Sequence, residues 1–303
     1  MDASRKQDAI IAESARGTTP ATPTFLLLPA MSIGGRVNRP QTRARSRQPH
    51  RAAVNTVQGL SEYARTIDMD LMYEGSLNEL FSSLFQADWA TDVLKFGSTL
   101  QPISLEEKFN GATNFRRSTG LIVDSLRLSS RLGGPIQLSF GLKGLGETTA
   151  GTAISGATYT AITGHKPFTP ADIVVNDAFG ISSPKVQTLD ITFANNSQDL
   201  YGFGSNDPDD TSLGELDITG TIALRFTALA QYADFVNGAD QALDLTFGHT
   251  TTEKYQLELP NCCAYNPDIV DPGSTGPHTV NIEFTAKYSS GDATAAILTR
   301  AVA

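Results

Sequence analysis

The stretch Ser76-Leu77-Asn78-Glu79-Leu80-Phe81-Ser82-Ser83-Leu84-Phe85-Gln86 has the pattern of a short helix. Its apolar residues stand at 77, 80, 81, 84 and 85, which form one face of a helix with 3.6 residues per turn. Ser76 and Glu79 have the spacing of a capping box, so we predict a helix over 76–86. An alternating strand pattern over 67–73 precedes it.

The chain repeats this arrangement in its second half. Residues 218–224 alternate as 67–73 do, and they lead into a short apolar pattern that predicts a second helix over 228–237. Farther on, residues 136–143 and 280–287 match in their apolar positions, in a phenylalanine and in a lysine. These two correspondences predict an internal duplication.

Alternating strand patterns dominate the rest of the chain, and half-polar strands of this kind are typical of antiparallel sheets with one face in water. We therefore expect a mainly β fold of two packed antiparallel sheets, a β-sandwich or barrel, with two short flanking helices. The expected organisation is an N-terminal arm over 1–24 and one β domain over 25–303. Its pseudo-repeats lie at about 60–145 and 185–303, and its long loops at 31–55, 144–183 and 261–279.

The charge is distributed unevenly. The whole chain of 303 residues has a net charge of -9, yet residues 14–61 contain no acidic residue. A basic segment in an acidic protein can contact nucleic acid or the acidic surface of another copy. No aromatic residue interrupts 36–51, which weakens the case for base stacking. The arginines of this region are Arg16, Arg36, Arg39, Arg43, Arg45, Arg47 and Arg51.

Signatures of catalysis are missing from the sequence. It has no Gly-x-Ser-x-Gly elbow, no His-Glu-x-x-His pair and no phosphate-binding loop. The four histidines lie among Gly, Pro and Thr, and Cys262 and Cys263 are adjacent, which is typical of reduced thiols. The acidic loop 206–210 with Glu215 could hold Ca²⁺, although glycine does not fall where an EF-hand needs it. We therefore expect that the protein is not an enzyme and that it holds no cofactor and no metal.

Several segments in order resemble the tail tube proteins of tailed bacteriophages, and together they extend over nearly the whole chain. The resemblance begins with the arm, Glu13-Ser14-Ala15-Arg16-Gly17-Thr18-Thr19-Pro20, and continues through the strand and helix of 68–85. The other similar segments are 95–99, 103–107, 119–126, 217–221, 232–238 and 255–260.

The resemblance implies a structural virion protein. Tail tube proteins form six-fold rings, here homohexamers, which stack into a hollow tube that conducts genome DNA. The implied partners are other copies of the chain, tape measure and tail-end proteins, and DNA that passes without specific binding. The implied location is the virion tail, after assembly in the bacterial cytoplasm.

Two hypotheses about surfaces accompany this resemblance. DNA must slide past the lumen wall, so we expect acidic or neutral residues there, with Asp68, Asp70, Asp190 and Glu283 as candidates. We expect the arm 1–24 and the arginines at 36, 39, 43, 45, 47 and 51 to make contacts between stacked rings, and both segments to be poorly ordered in the free monomer. Two other functions are alternatives to that of a tail tube protein. One is a nucleic-acid-binding module that uses residues 36–51, and the other is a carbohydrate-active β-sandwich enzyme.

Overall fold

The computed structural model of the chain describes residues 6–43, 49, 55–109, 113–181, 184–225, 235–236, 238, 240–274 and 276–301. The helix α1 (Gly75–Phe85) lies among many strands. The strands are β1 (Gln7–Ala12), β2 (Thr24–Leu27), β3 (Ser32–Gly34), β4 (Val37–Asn38), β5 (Gln41–Arg43), β6 (Thr56–Gln58), β7 (Glu62–Asp70), β8 (Val93–Lys95), β9 (Ile103–Lys108), β10 (Phe115–Arg131), β11 (Gln137–Gly144), β12 (Gly146–Ala150), β13 (Thr158–Thr160), β14 (Ile173–Ala178), β15 (Val186–Ala194), β16 (Gln198–Leu200), β17 (Asp210–Ser212), β18 (Asp217–Arg225), β19 (Asp240–Gly248), β20 (Lys254–Val270), β21 (Thr279–Ala286) and β22 (Ile297–Arg300).

The protein is mainly β, and its largest feature is a curled antiparallel sheet that forms a half-barrel. The strand order in this sheet is β3 and β4 end to end, then β7, β11, β10, β15, β18, β21 and β20. The first part of β20 also pairs with β19 on one side and with β22 on the other. Strand β14 continues the sheet beyond β19, and β8 continues it beyond β22.

A second group of strands is built on the first part of β10. Here β10 pairs with β12 on one side and with β9 on the other, and the order continues through β1, β2 and β13. The β2–β13 pairing is parallel, and the others are antiparallel. The strand pairs β5–β6 and β16–β17 form two small separate sheets.

Helix α1 packs its apolar face into the core, as its sequence predicted. Leu84 and Phe85 are fully buried, and the ring of Phe85 stacks on Phe96 with centroids 4.1 Å apart. The start of the helix differs from the prediction. The N-cap residue is Glu74, and Ser76 lies inside the first turn, where its buried hydroxyl has no hydrogen-bond partner. The predicted capping box was therefore wrong.

The core lies between α1 and one face of the curled sheet. Ile67, Phe140, Leu126, Ile191 and Phe284 come from different strands of that sheet, and all are buried. They join the helix residues in one continuous apolar cluster. Since side chains alternate between the two faces of a strand, the other face of the sheet carries the polar positions.

Three segments expected to be long loops contain strands. Residues 31–55 include β3, β4 and β5, residues 144–183 include β12, β13 and β14, and residues 261–270 complete β20. Four of them (β3, β4, β5 and β13) have only two or three residues, and β12 is polar or small throughout, so these five lack the apolar alternation by which strands are recognised. Pro267 in β20 lies at a register shift between Tyr265 and Asp268, where a proline can be accommodated.

The N-terminal segment also differs from the predicted arm over 1–24. Strand β1 pairs with β9 over six residues, and Ala9 and Ile10 are buried, so this part of the arm belongs to the sheet. The second predicted helix, 228–237, lies mostly outside the described residues. Residues 235–236 are helical, with Phe235 buried and Val236 exposed.

Candidate functional site

The polar face of the curled sheet is a broad surface that faces away from the core. Its side chains are exposed or half-buried on each strand of the sheet, in spatial order from β7 through β11, β10, β15, β18 and β21 to β20. The residues Arg127, Asp190, Thr221 and Glu283 line a shallow depression in this surface. We call the outward-pointing positions of β7, β11, β10, β15, β18, β21 and the second part of β20 the polar face.

The structure places all four candidate lumen residues on the polar face. Asp70, Asp190 and Glu283 belong to one row of neighbours across the strands, and Asp68 belongs to the adjacent row. The first row reads Asp70, Gln137, Ser129, Asp190, Thr221, Glu283 and Tyr265. The second reads Asp68, Ser139, Arg127, Thr192, Thr219, Thr285 and Cys263.

Three of these four carboxylates have partners within the chain. Asp68 accepts hydrogen bonds from the hydroxyls of Ser32 (2.7 Å) and Ser139 (2.6 Å). Asp190 accepts from Nε of Arg127 at 2.9 Å, and this ion pair neutralises a cation on the polar face. Glu283 accepts from Nδ2 of Asn266 at 3.0 Å. The face therefore combines threonine and serine hydroxyls with charges that are partly paired.

Asp70 is the exception among the four. Its Oδ1 atom is buried and has no hydrogen-bond partner. Burial raises the pKa of Asp70 above its usual value of 3.8, because the charged form loses hydration that nothing replaces.

The arginine-rich segment is only partly described. Arg45, Arg47 and Arg51 lie outside the described residues, whereas the side chains of Arg36 and Arg43 are exposed. Arg39 donates a hydrogen bond to the hydroxyl of Tyr63 at 2.8 Å and pairs with Asp207 at 3.1 Å.

The acidic loop after β16 is the partner of two arginines from the N-terminal basic region. Tyr63 donates to Asp207 at 2.8 Å, and Arg16 pairs with Asp210. The hydrogen bond from Tyr63, followed by one from Ser61 and by the nearby charge of Arg39, holds the pKa of Asp207 below its usual range. Carboxylates engaged in this way are not arranged around a common centre. Within the described ranges, no three His, Cys, Asp or Glu side chains come together as a metal site.

The described histidines lie in surface loops, each next to a carboxylate. His165 is 3.2 Å from Glu253, and His249 is 3.1 Å from Asp172. His278 is 3.7 Å from Asp271, and His50 lies outside the described residues.

A buried set of ion pairs in the second group of strands was not predicted from the sequence. Glu106 and Glu107 are both about 1% exposed and point to opposite faces of β9. Arg117 donates from Nε to Glu106 at 2.6 Å, and Arg116 donates from Nε to Glu107 at 2.6 Å. Burial, followed by its hydrogen bond to Glu106, raises the pKa of Tyr159, so its hydroxyl remains a donor.

The sequence contains a signal for this cluster in two charged doublets. Glu106-Glu107 and Arg116-Arg117 flank a short connection between strands, and antiparallel pairing places 107 opposite 116 and 106 opposite 117. Adjacent acidic residues on a strand point to opposite faces, so each needs its own cation.

Comparison with known proteins gives the family. The family model described as "Phage tail tube protein" matches residues 4–286 of the 303. No curated protein matches the chain significantly. Since the match extends over most of the sequence, the chain belongs to the phage tail tube protein family.

The family defines the class of function. The protein is a structural component of the tail tube of a bacteriophage, it self-assembles into tubes, and it is not an enzyme. It is a part of the virion tail. Within the described residues, no helix is long and apolar enough to cross a membrane.

Proposed function

We propose that copies of this chain close into rings with six-fold symmetry, that the rings stack, and that their joined sheets surround a lumen through which genome DNA passes. The observation that carries the proposal is the polar face. Seven strands present it to solvent while their other face buries the core. A curled sheet with open edges loses those edges when copies pair into a closed barrel.

The chemistry of the polar face suits a conduit. Hydroxyl groups and carboxylates dominate its two central rows, and Arg127 is paired with Asp190. A phosphate backbone gains affinity from each accessible lysine or arginine, and this gain depends on salt. A wall with few free cations lets DNA slide. We therefore keep Asp68, Asp70, Asp190 and Glu283 as lumen-facing residues in the proposal.

The proposal includes the two-sheet packing and the internal duplication expected from the sequence. Tape measure and tail-end proteins are its further partners, and the host cytoplasm is the place of assembly. Negative-stain microscopy of the purified protein is the direct test. Rings or hollow tubes with a continuous stain-filled lumen support the proposal, and a protein that stays monomeric at high concentration overturns it.

The arginine-rich segment is proposed to hold stacked rings together. The triple replacement of Arg43, Arg45 and Arg47 by serine should leave rings intact while tubes become shorter or salt-sensitive, because bidentate arginine–carboxylate pairs are lost. Tubes of normal length across a salt series would exclude this role and favour nucleic-acid contact by the segment instead.

A further inference from the structure

We propose that the hairpin of β16 and β17 in each copy places Phe203 in an apolar depression on a copy in the next ring of the stack. The inference rests on the stacking of rings in the proposed function and names a contact between them. The receiving surface, which we call the proline shelf, consists of Leu132, Pro135, Pro167 and Pro170.

Phe203 lies at the tip of this hairpin with its ring in solvent. It is the most exposed of the large apolar side chains in the part of the chain that the structure describes, and Leu200 on the same hairpin is also exposed. Gly202 and Gly204 flank Phe203, so neither adjacent residue has a side chain that could cover the ring. The phenylalanine therefore leaves water only when another molecule covers it.

Contacts with the rest of the chain hold the hairpin in place. Tyr201 donates a hydrogen bond from its hydroxyl to the carbonyl oxygen of Ser61 at 2.9 Å. The backbone nitrogen of Ser61 donates to the carbonyl oxygen of Asn206 at 2.7 Å. The ion pairs of Arg39 and Arg16 described above hold the residues that follow the tip. The hairpin is thus formed before any contact with another copy, which lowers the entropy cost of binding.

The proline shelf is also formed within the subunit. It combines the turn 132–135, which follows β10, with the segment 166–171. Phe168 in this segment is buried, accepts a hydrogen bond from the backbone nitrogen of Ile136 at 2.9 Å and donates one to Leu71 at 2.8 Å. Leu132 is 68% exposed, and proline rings are rigid. The shelf therefore offers apolar surface that needs little further ordering.

The hairpin and the shelf lie at opposite ends of the curled sheet. Strand β15 runs from Val186 to Ala194, and the segment with the hairpin begins directly after Ala194. At the other end of β15, Thr188 pairs with Arg131, the residue before Leu132. The nine residues of β15 span about 26 Å, so the two surfaces of one copy do not meet. Complementary surfaces at opposite ends give a head-to-tail contact, which extends a stack without closing it.

The hairpin carries negative charge close to its tip. The segment 195–216 has five carboxylates and no basic residue. Asp209 is exposed and lies beside the tip, since a Cβ added to Gly202 would be 2.5 Å from its carboxylate oxygen. A receiving surface for Phe203 must therefore accept a carboxylate as well as a ring, and cations at its rim meet that need.

Exposed cations surround the proline shelf. Lys166 lines the shelf itself, and two more cations line the pocket that continues from it past Leu132 and Pro170. Asp172, the next carboxylate after the shelf segment, accepts hydrogen bonds from Thr169 and lies 3.1 Å from His249, so other groups engage it. The shelf thus matches the hairpin in both polarity and charge. The exposed cations at this end are Arg131, Lys166, Lys185 and Arg225.

The test replaces Phe203 by serine and measures the concentration at which purified rings grow into tubes, by sedimentation and negative-stain microscopy. Because the side chain is fully exposed in the free subunit, the variant should fold and form rings as the parent does. The threshold concentration should rise at least about 10-fold, the factor that corresponds to burial of one phenylalanine side chain. Tyr288→Ser should leave the threshold unchanged, since Tyr288 is an exposed aromatic residue outside both surfaces.

Cross-linking then locates the receiving surface. The double variant Ser205→Cys/Ala171→Cys keeps Phe203 and the prolines, and places one exposed thiol beside the tip and one on the shelf. A short bis-maleimide should join chains in tubes of the double variant, and should join none in its isolated rings or in either single variant. Cys263 is replaced by serine in all samples. Cys262 is fully buried, and burial raises its pKa to about 12, so its thiol stays unreactive.

Each outcome supports or overturns the contact. Tubes of Phe203→Ser that grow at the parent's threshold overturn it and leave the proposed function standing. Equal losses in Phe203→Ser and Tyr288→Ser overturn it as well, because the effect is then not specific to the hairpin. Double-variant tubes without cross-links overturn the shelf as the receiving surface. A parent protein that forms no rings, or rings that never stack, overturns both this contact and the proposed function.

Discussion

Two lysines on the polar face should turn a non-binding lumen into a DNA-binding one. Thr219 and Thr221 are exposed on β18, in the two central rows of the polar face. Replacing both with lysine adds two cations per chain at the wall that DNA is proposed to pass. Neither side chain is in the core, so the fold should tolerate the change.

The size of the effect follows from counterion release. If two to four of the new lysines in one ring contact phosphates at once, the slope of log K against log salt is about -2 to -4. Between about 50 and 200 mM salt, a four-fold change, affinity should then fall roughly 15-fold to 250-fold. The unmodified ring should show little retention of DNA at the higher salt.

The assay compares a linear duplex with a closed circular duplex of the same length on isolated rings. Only a linear molecule can thread a closed ring, so Thr219→Lys/Thr221→Lys rings should retain linear DNA and release circular DNA. Thr148→Lys/Thr149→Lys is the matched control, because these two exposed threonines lie on β12 in the second group of strands. The control rings should bind both forms equally. Equal binding of both forms by the Thr219/Thr221 variant would refute the placement of the polar face in the lumen.

Three further predictions concern stability and can be measured by urea unfolding of unassembled protein. Leu84→Ala should cost about 2–5 kcal/mol because it empties a fully buried site on α1, whereas Leu200→Ala on the surface should cost under about 0.5 kcal/mol. Arg117→Ala should cost about 3–5 kcal/mol because it leaves a buried carboxylate unpaired, whereas Arg127→Ala removes an exposed pair worth about 0–1 kcal/mol. Asp70→Asn should gain stability relative to the parent as pH rises from about 4 to 7. The folded-state pKa of Asp70 is raised, so its contribution is present below 3.8 and is lost as pH rises through the folded value. A stability difference between Asp70→Asn and the parent that does not change with pH would contradict that reasoning. Equal costs for Leu84→Ala and Leu200→Ala, or for Arg117→Ala and Arg127→Ala, would contradict the first two predictions.

The sequence predicted the elements that touch the core. Alternating patterns located β7, β11, β15, β18 and β21, and the 3.6-residue pattern located α1, because each of these elements buries one face against the same apolar cluster. A buried face requires apolar residues at a regular spacing along the sequence, and this spacing can be recognised. The same alternation identified Asp68, Asp70, Asp190 and Glu283 as outward-pointing, and the structure places them together on one face.

The edges and the buried charges could not be predicted in the same way. Strand β5 is exposed at all three positions, and β12 is polar or small throughout, so main-chain pairing alone defines them. The row that joins Asp70 to Glu283 depends on register between strands up to 213 positions apart. Register is set by pairing in three dimensions, and a single strand pattern does not contain it.

Strand pairing inside the chain should be stronger than strand pairing between copies in the proposed ring, and this difference has a physical reason. The junction inside the chain joins β10 to β15 over seven consecutive residue pairs. The open edge of the sheet, which is available for pairing in the proposed ring, is broken into three residues of β3 and two of β4. Gly35 makes the break: its φ is +110°, and a Cβ there would lie 2.2 Å from the carbonyl oxygen of Ala64. A short, interrupted edge is a known protection against indiscriminate strand pairing. The chain therefore keeps its continuous pairing for the junction that forms on folding and leaves the weaker edge for assembly. Rings should accordingly dissociate into separate subunits well before the subunits unfold.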